Sequence, residues 1–228
     1  MNLAYSKSRF YTGTIGVYKM EILDATGVLY LKQKVLTQEL RTEFIRKSIH
    51  ILIALVPTLA ALLGTGPTIA LLGGGIVFYT YAEYERKRGH SIPLITRITR
   101  AAARDTDTDG IILGPITLGI GAMISLLLYP EPASVIAIYS LAFGDGISSI
   151  AGKLFGRRRI SYFQGKTLEG SLACFTVVFY IVYFTAGEVV PSFVIAAVAM
   201  LLEAVPVKDL DNIILPMGSG FAASLFLS

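Results

Sequence analysis

The sequence predicts an all-α, polytopic membrane protein of about seven transmembrane helices, with the N-terminus in the cytoplasm and the C-terminus on the opposite side. Three observations predict it. Of the 228 residues, 54% are hydrophobic and 16% charged, with a mean hydropathy of +0.64. One soluble core of this size could not hide so many apolar runs. Those runs recur seven times, at 44–64, 67–82, 110–129, 132–151, 170–187, 189–205 and 213–228. Finally, all 20 Lys and Arg fall on alternate connections.

Helices are the expected spanning element because backbone polar groups must be paired inside lipid. A crossing needs roughly 20 apolar residues. Several runs are shorter, which helices ending inside the protein would accommodate. Eight basic residues lie at or before the start of the first run, six between the second and third, and five between the fourth and fifth; Lys208 lies between the sixth and seventh. The other connections carry none. By the positive-inside rule the basic connections face the cytoplasm. The rule also accounts for the pI near 9.1 without invoking nucleic acid. The lone Cys174 lies in an apolar run, which excludes a disulfide and a cysteine-based metal site.

Residues 1–38 read as a cytoplasmic extension ahead of a membrane domain spanning 39–228, and no cleavable signal peptide is expected there. Within the extension, two apolar segments flank Asp24-Ala25-Thr26-Gly27, a pattern that suits a hairpin. The spacing of Leu29, Leu36 and Leu40 suits an interfacial helix instead.

Five polar constellations punctuate the membrane domain. At the start of the first span, Glu39, Glu43, Arg46 and His50 form one helical stripe with Lys47 beside it. Ionisable groups at that depth require partners or a polar cavity, although an ion-pair stripe with snorkelling anchors is the plainer reading. The second span ends in Glu83, Glu85 and Arg86; a stop-transfer flank explains the basic residues better than the glutamates. Asp105, Asp107 and Asp109 imitate a Ca²⁺ loop, but Ile116 stands where its glutamate should be. Capping aspartates at a helix start are the simpler reading.

The fourth constellation is the most informative. Gly144-Asp145 and then Ser148, Ser149, Gly152 and Lys153 lie on the fourth span, followed by Gly165-Lys166-Thr167-Leu168-Glu169-Gly170. A carboxylate inside an apolar span is a functional candidate. The small residues suit close approach of a ligand or simply of another helix. Lys166 offers a point charge for phosphate. No P-loop is present, because Ile160 occupies the position of its first glycine. Last, the connection from Glu203 to Asp211-Asn212 reads as a turn with capping residues. All five map to one membrane face. Together they suggest a cytoplasm-facing site for an anion and a metal ion.

At these residues the chain resembles the CTP-dependent lipid-alcohol kinases: dolichol kinase, phytol kinase and the CTP-using diacylglycerol kinase. The resemblance runs from about residue 39 to the C-terminus. It rests on Glu43-x-x-Arg46-Lys47-x-x-His50, on the 83–86 segment, on Gly144-Asp145…Gly152-Lys153…Gly156, on the 165–170 loop and on Asp211-Asn212. Phosphatidate cytidylyltransferases share the loop and the Gly-Asp span. Their late His-Gly-Gly segment is absent here, since no histidine follows His90.

The resemblance implies transfer of the γ-phosphoryl group of CTP to a lipid hydroxyl on the cytoplasmic side of the membrane. It implies Mg²⁺, or another divalent cation, on Asp145, with Asp211 or Glu83 as second ligand. Lys166, Lys47 and Arg46 would neutralise the phosphates, and Glu169 and Asn212 would orient Lys166 or the nucleotide. Gly144, Ser148, Gly152, Lys153, Gly165, Thr167 and Gly170 would line the nucleotide and the route of the lipid. His50 and Glu43 are the candidates to take the hydroxyl proton. The competing readings are a CTP-dependent lipid-phosphate cytidylyltransferase and a small transporter using Asp145 for a coupling ion. Glu131 and Glu188 are the only charges on the other face, which leaves a transporter without an evident second gate.

Overall fold

The computed structural model describes residues 25–90, 92–103, 110–160, 166–207 and 209–227. Among them every regular element is helical, with one isolated antiparallel bridge between Arg159 and Thr167. The chain divides into two units, Met1–Gln38 and Glu39–Ser228. In the first, residues 25–38 are helical, so the hairpin reading does not hold over that part. The remainder of the proposed hairpin lies outside the described residues.

Helical segments coincide with all seven predicted runs. The first helix, α1 (Ala25–Leu52), tightens into a 3₁₀ turn at Ile53–Leu55 and continues as α2 (Val56–Leu63). Pro57 explains the irregularity, because it removes an N–H and forbids an uninterrupted α-helical ladder. Gly64 then ends α2 at φ 88°, ψ 158°, a conformation open essentially to glycine alone. Next come α3 (Thr65–Lys87) and α4 (Pro93–Ala102). The apolar runs do not predict α4; Thr96 and Thr99 are buried on one side and Arg97 and Arg100 exposed on the other. The Asp105–Asp109 motif lies outside the described residues.

The third run begins its helix only at α5 (Gly114–Leu128), where Pro115 occupies the first turn. In place of one continuous fourth helix there are α6 (Ala133–Tyr139), a π-helical turn (Ser140–Asp145) and α7 (Gly146–Phe155). Such wide turns re-aim side chains and recur at functional sites; Asp145 closes this one. In α8 (Leu168–Ala186), Thr167 caps the start by accepting the Gly170 N–H at 3.2 Å, and Gly187 ends it at φ 74°. The last two are α9 (Val189–Ala204) and α10 (Asp211–Phe226).

Among the described residues, three stretches are long and apolar enough to cross a membrane: Thr37–Leu63, Ala133–Phe155 and Leu168–Ala186. Gly114–Leu128 and Val189–Ala204 are shorter apolar helices. The packing is that of a membrane protein. Val178, Val182, Ile195, Ala199 and Leu215 form a closed core among α8, α9 and α10. Large apolar side chains also point outward: Leu62 is 75% exposed, Phe184 82% and Val190 70%. Water would penalise so many outward apolar groups, whereas lipid accepts them.

Small residues bring the helices close. A Cβ on Gly121 of α5 would lie 2.0 Å from the Asn212 carbonyl oxygen on α10, a backbone atom that has little room to move. Gly121→Ala is therefore expected to destabilise the protein by about 1–3 kcal/mol, read as a lower thermal midpoint in detergent. An unchanged midpoint would mean that α5 and α10 separate without cost.

Candidate active site

The polar side chains converge where α1, the π-helical turn, the start of α8, the end of α9 and the start of α10 come together. On α1, residues 43, 47 and 50 repeat at helical spacing and face inward. Glu43 is 4% exposed, Lys47 1% and His50 4%. Lys47, which the sequence placed beside the stripe, is thus its most buried member. Its ammonium pairs with Asp145 Oδ2. Both charges are fully enclosed, an arrangement that persists only when each has its partner. His50 Nδ1 lies 3.0 Å from the same oxygen, but it is not aligned for a hydrogen bond. Arg46 and Lys153 hold the two oxygens of Glu43, Lys153 at 3.0 Å.

Across the site, Lys166 pairs with Glu203 Oε1. The Ser148 hydroxyl lies 2.9 Å from the same oxygen and 3.1 Å from the Asp145 carbonyl. Burial acts most strongly on the Lys166 ammonium and lowers its pKa, but the Glu203 and Asp145 carboxylates outweigh it and hold the group above the ordinary lysine range. Asp211 shows the opposite balance. Burial and the nearby Asp145 carboxylate raise its pKa, against the pull of Lys47, Lys166 and Arg46. The Asn212 side chain donates to Thr117 Oγ1 at 2.9 Å, and its own carbonyl oxygen is buried without a partner.

The remaining predicted positions have other surroundings. Both Glu83 oxygens take Arg86 at 2.9 Å, and one also accepts the Ile112 N–H, so Glu83 ties α3 to the segment before α5. Glu169 accepts the Arg158 N–H at 3.3 Å rather than holding Lys166. Gly152 and Gly170 face each other where α7 crosses α8; a Cβ on Gly170 would lie 2.8 Å from the Ser148 carbonyl oxygen. Gly144 packs toward Val178 and Cys174. These glycines set the distance between helices. Gly165 lies outside the described residues.

Glu203 is the residue that sequence reasoning did not assign. It read as the start of a turn, and the one available signal was a glutamate closing an apolar helix. Among the described residues no three His, Cys, Asp or Glu side chains converge on one metal position. Asp145 and Asp211 are nonetheless close enough to repel each other, which suits a divalent cation that needs only one or two protein carboxylates. The cluster therefore offers cations for phosphate groups, a carboxylate pair for a metal ion and a buried hydroxyl.

No family model matches the chain, and no solved structure matches it. Curated proteins are similar to the chain, these three among them. Phytol kinase 1, chloroplastic, of Arabidopsis thaliana is 26% identical over 85% of this chain and 68% of its own length. Farnesol kinase, chloroplastic, of the same plant is 25% identical over 55% of this chain and 47% of its own length. Probable phytol kinase 1, chloroplastic, of Oryza sativa subsp. japonica is 24% identical over 56% and 46%. The chain spans about half the length of the last two. It is similar to the lipid-alcohol kinases, the same family that its motifs resemble.

Proposed function

We propose that this protein is an integral-membrane kinase that transfers the γ-phosphoryl group of CTP to the hydroxyl of a lipid alcohol at the cytoplasmic membrane face. Its catalytic unit is the membrane domain, with seven spans, the N-terminus inside and the C-terminus outside. The observation that carries this reading is the convergence of Asp145, Lys47, Lys166 and Asp211 from four separate segments. The similarity to phytol and farnesol kinases supports a lipid alcohol as acceptor, and their names favour an isoprenoid alcohol over diacylglycerol.

Phosphoryl transfer requires positioning and charge stabilisation more than covalent chemistry. Lys166 is the cation best placed to meet an incoming polyphosphate, since 26% of its side chain is exposed while its counter-ion is buried. Lys47 holds Asp145 in place, and Arg46 adds positive field. Asp145 and Asp211 would hold Mg²⁺, which supplies charge neutralisation on the phosphate oxygens. Ser148, whose hydroxyl lies between the Asp145 carbonyl and Glu203, marks the inner wall.

The test is thin-layer chromatography of purified protein with Mg²⁺, CTP labelled at the γ-phosphate, and separate pools of phytol, polyprenol, diacylglycerol and phosphatidate. Label is expected in an alcohol-derived lipid spot. It is expected to vanish with EDTA and to return with excess Mg²⁺. Pyrophosphate release with phosphatidate would replace the kinase with a cytidylyltransferase, and no turnover with any pool would overturn enzyme function.

A further inference from the structure

Glu203 closes the last turn of α9 and is 2% exposed. Its two oxygens differ sharply. Oε1 takes both Lys166 and the Ser148 hydroxyl. Oε2 is enclosed and receives no hydrogen bond. A buried carboxylate oxygen without a donor is costly. Native structures keep such groups chiefly where a ligand, a water or a reaction step supplies the donor. The two contacts anchor Oε1, so Oε2 belongs to a carboxylate that Lys166 already holds.

Two of the other candidate acceptors, Glu43 and Asp145, are engaged. Arg46 and Lys153 occupy the two oxygens of Glu43. Lys47 pairs with Asp145 Oδ2. His50 Nδ1, 3.0 Å from that oxygen, also lacks a hydrogen bond. The cation beside it, however, is committed to Asp145 and enclosed, whereas Lys166 beside Glu203 is 26% exposed. We propose that Glu203 is the catalytic acceptor of the hydroxyl proton of the alcohol, a role that rests on the kinase reading above. In the step, the alcohol oxygen forms its bond to the γ-phosphorus of the nucleoside triphosphate. The bond from that phosphorus to the β,γ-bridging oxygen breaks, and its electron pair leaves with the nucleoside diphosphate. The hydroxyl proton passes to Glu203 Oε2. Lys166, bound to the other oxygen of the same carboxylate, places the phosphate and the proton acceptor side by side.

Full-length Glu203→Gln and Glu203→Asp proteins in detergent test this, assayed with labelled CTP and two acceptors: an isoprenoid alcohol and its fluorinated analogue with a more acidic hydroxyl. Glu203→Gln is nearly isosteric and keeps an oxygen for Ser148. It is expected to lower kcat by about 10²-fold or more, the scale of general-base catalysis, with KM for CTP within about threefold of wild type. The loss is expected to be smaller with the more acidic acceptor, because a readily released proton needs less help. Glu203→Asp is expected to recover part of the rate, and it carries the test if the Gln protein does not fold. A raised KM with unchanged kcat would overturn the proposal and make Glu203 a support for Lys166. Equal losses with both acceptors would overturn it as well. Wild-type protein that transfers no label would overturn the kinase reading and the proposal together.

Discussion

Replacing Asp145 by Ala is expected to reduce transfer by on the order of 10³-fold or more, as when a preorganised electrostatic group is removed from a transition state. The same change is expected to lower stability by about 3–5 kcal/mol, because it strands a buried charge. Lys47 is the charge left behind, at 1% exposure. Activity loss alone would therefore confuse a chemical role with unfolding. The pair of changes Lys47→Met and Asp145→Leu separates them. Replacing both members of a buried ion pair with apolar groups is often neutral or stabilising. The double variant is expected to regain a near wild-type thermal midpoint in detergent and to remain inactive. Recovery of both stability and activity would show that Asp145 only holds the helices together.

Lys166→Met is expected to lower kcat/KM for CTP by about 10²-fold through loss of charge stabilisation of the transferred group. It also strands the buried Glu203 carboxylate, so stability is expected to fall, though by less than for Asp145→Ala because 26% of the Lys166 side chain is exposed and Ser148 still donates to Glu203. Initial rates across a CTP series check this, with the midpoint of thermal unfolding as the control. An unchanged kcat/KM would remove Lys166 from the phosphate site. Lys166→Arg is not expected to restore full activity: the guanidinium is a planar fork and not a compact point charge.

Much of this architecture is legible in the amino-acid sequence. Each of the seven apolar runs lies on a helical segment, because hydrophobic stretches and helix caps are local properties of the chain. Thr167 and Gly187 bound α8 for local reasons that any helix end obeys. The inward face of α1 follows from the spacing of 43, 47 and 50 within one helix. Asp145 stands out because an isolated carboxylate in an apolar span has no inexpensive explanation other than a site.

Local chemistry along the chain accounts for the set of helices, their apolar character and the residues that had to find polar partners. Which partners those are follows from how the helices pack. Lys47 meets Asp145 across 98 positions of sequence, and Lys166 meets Glu203 across 37. Glu83, which the resemblance ranks beside Asp211 as a metal ligand, turns to Arg86. Gly152 and Gly170, legible as either a ligand cradle or a packing seam, meet each other. The π-helical turn that presents Asp145 has no sequence signal distinct from an ordinary helix. The physical reason is one of range: periodicity reports the faces of a single helix, whereas the distance between two charges depends on how separate helices pack, and that is set by close contacts such as Gly121 against Asn212 far along the chain.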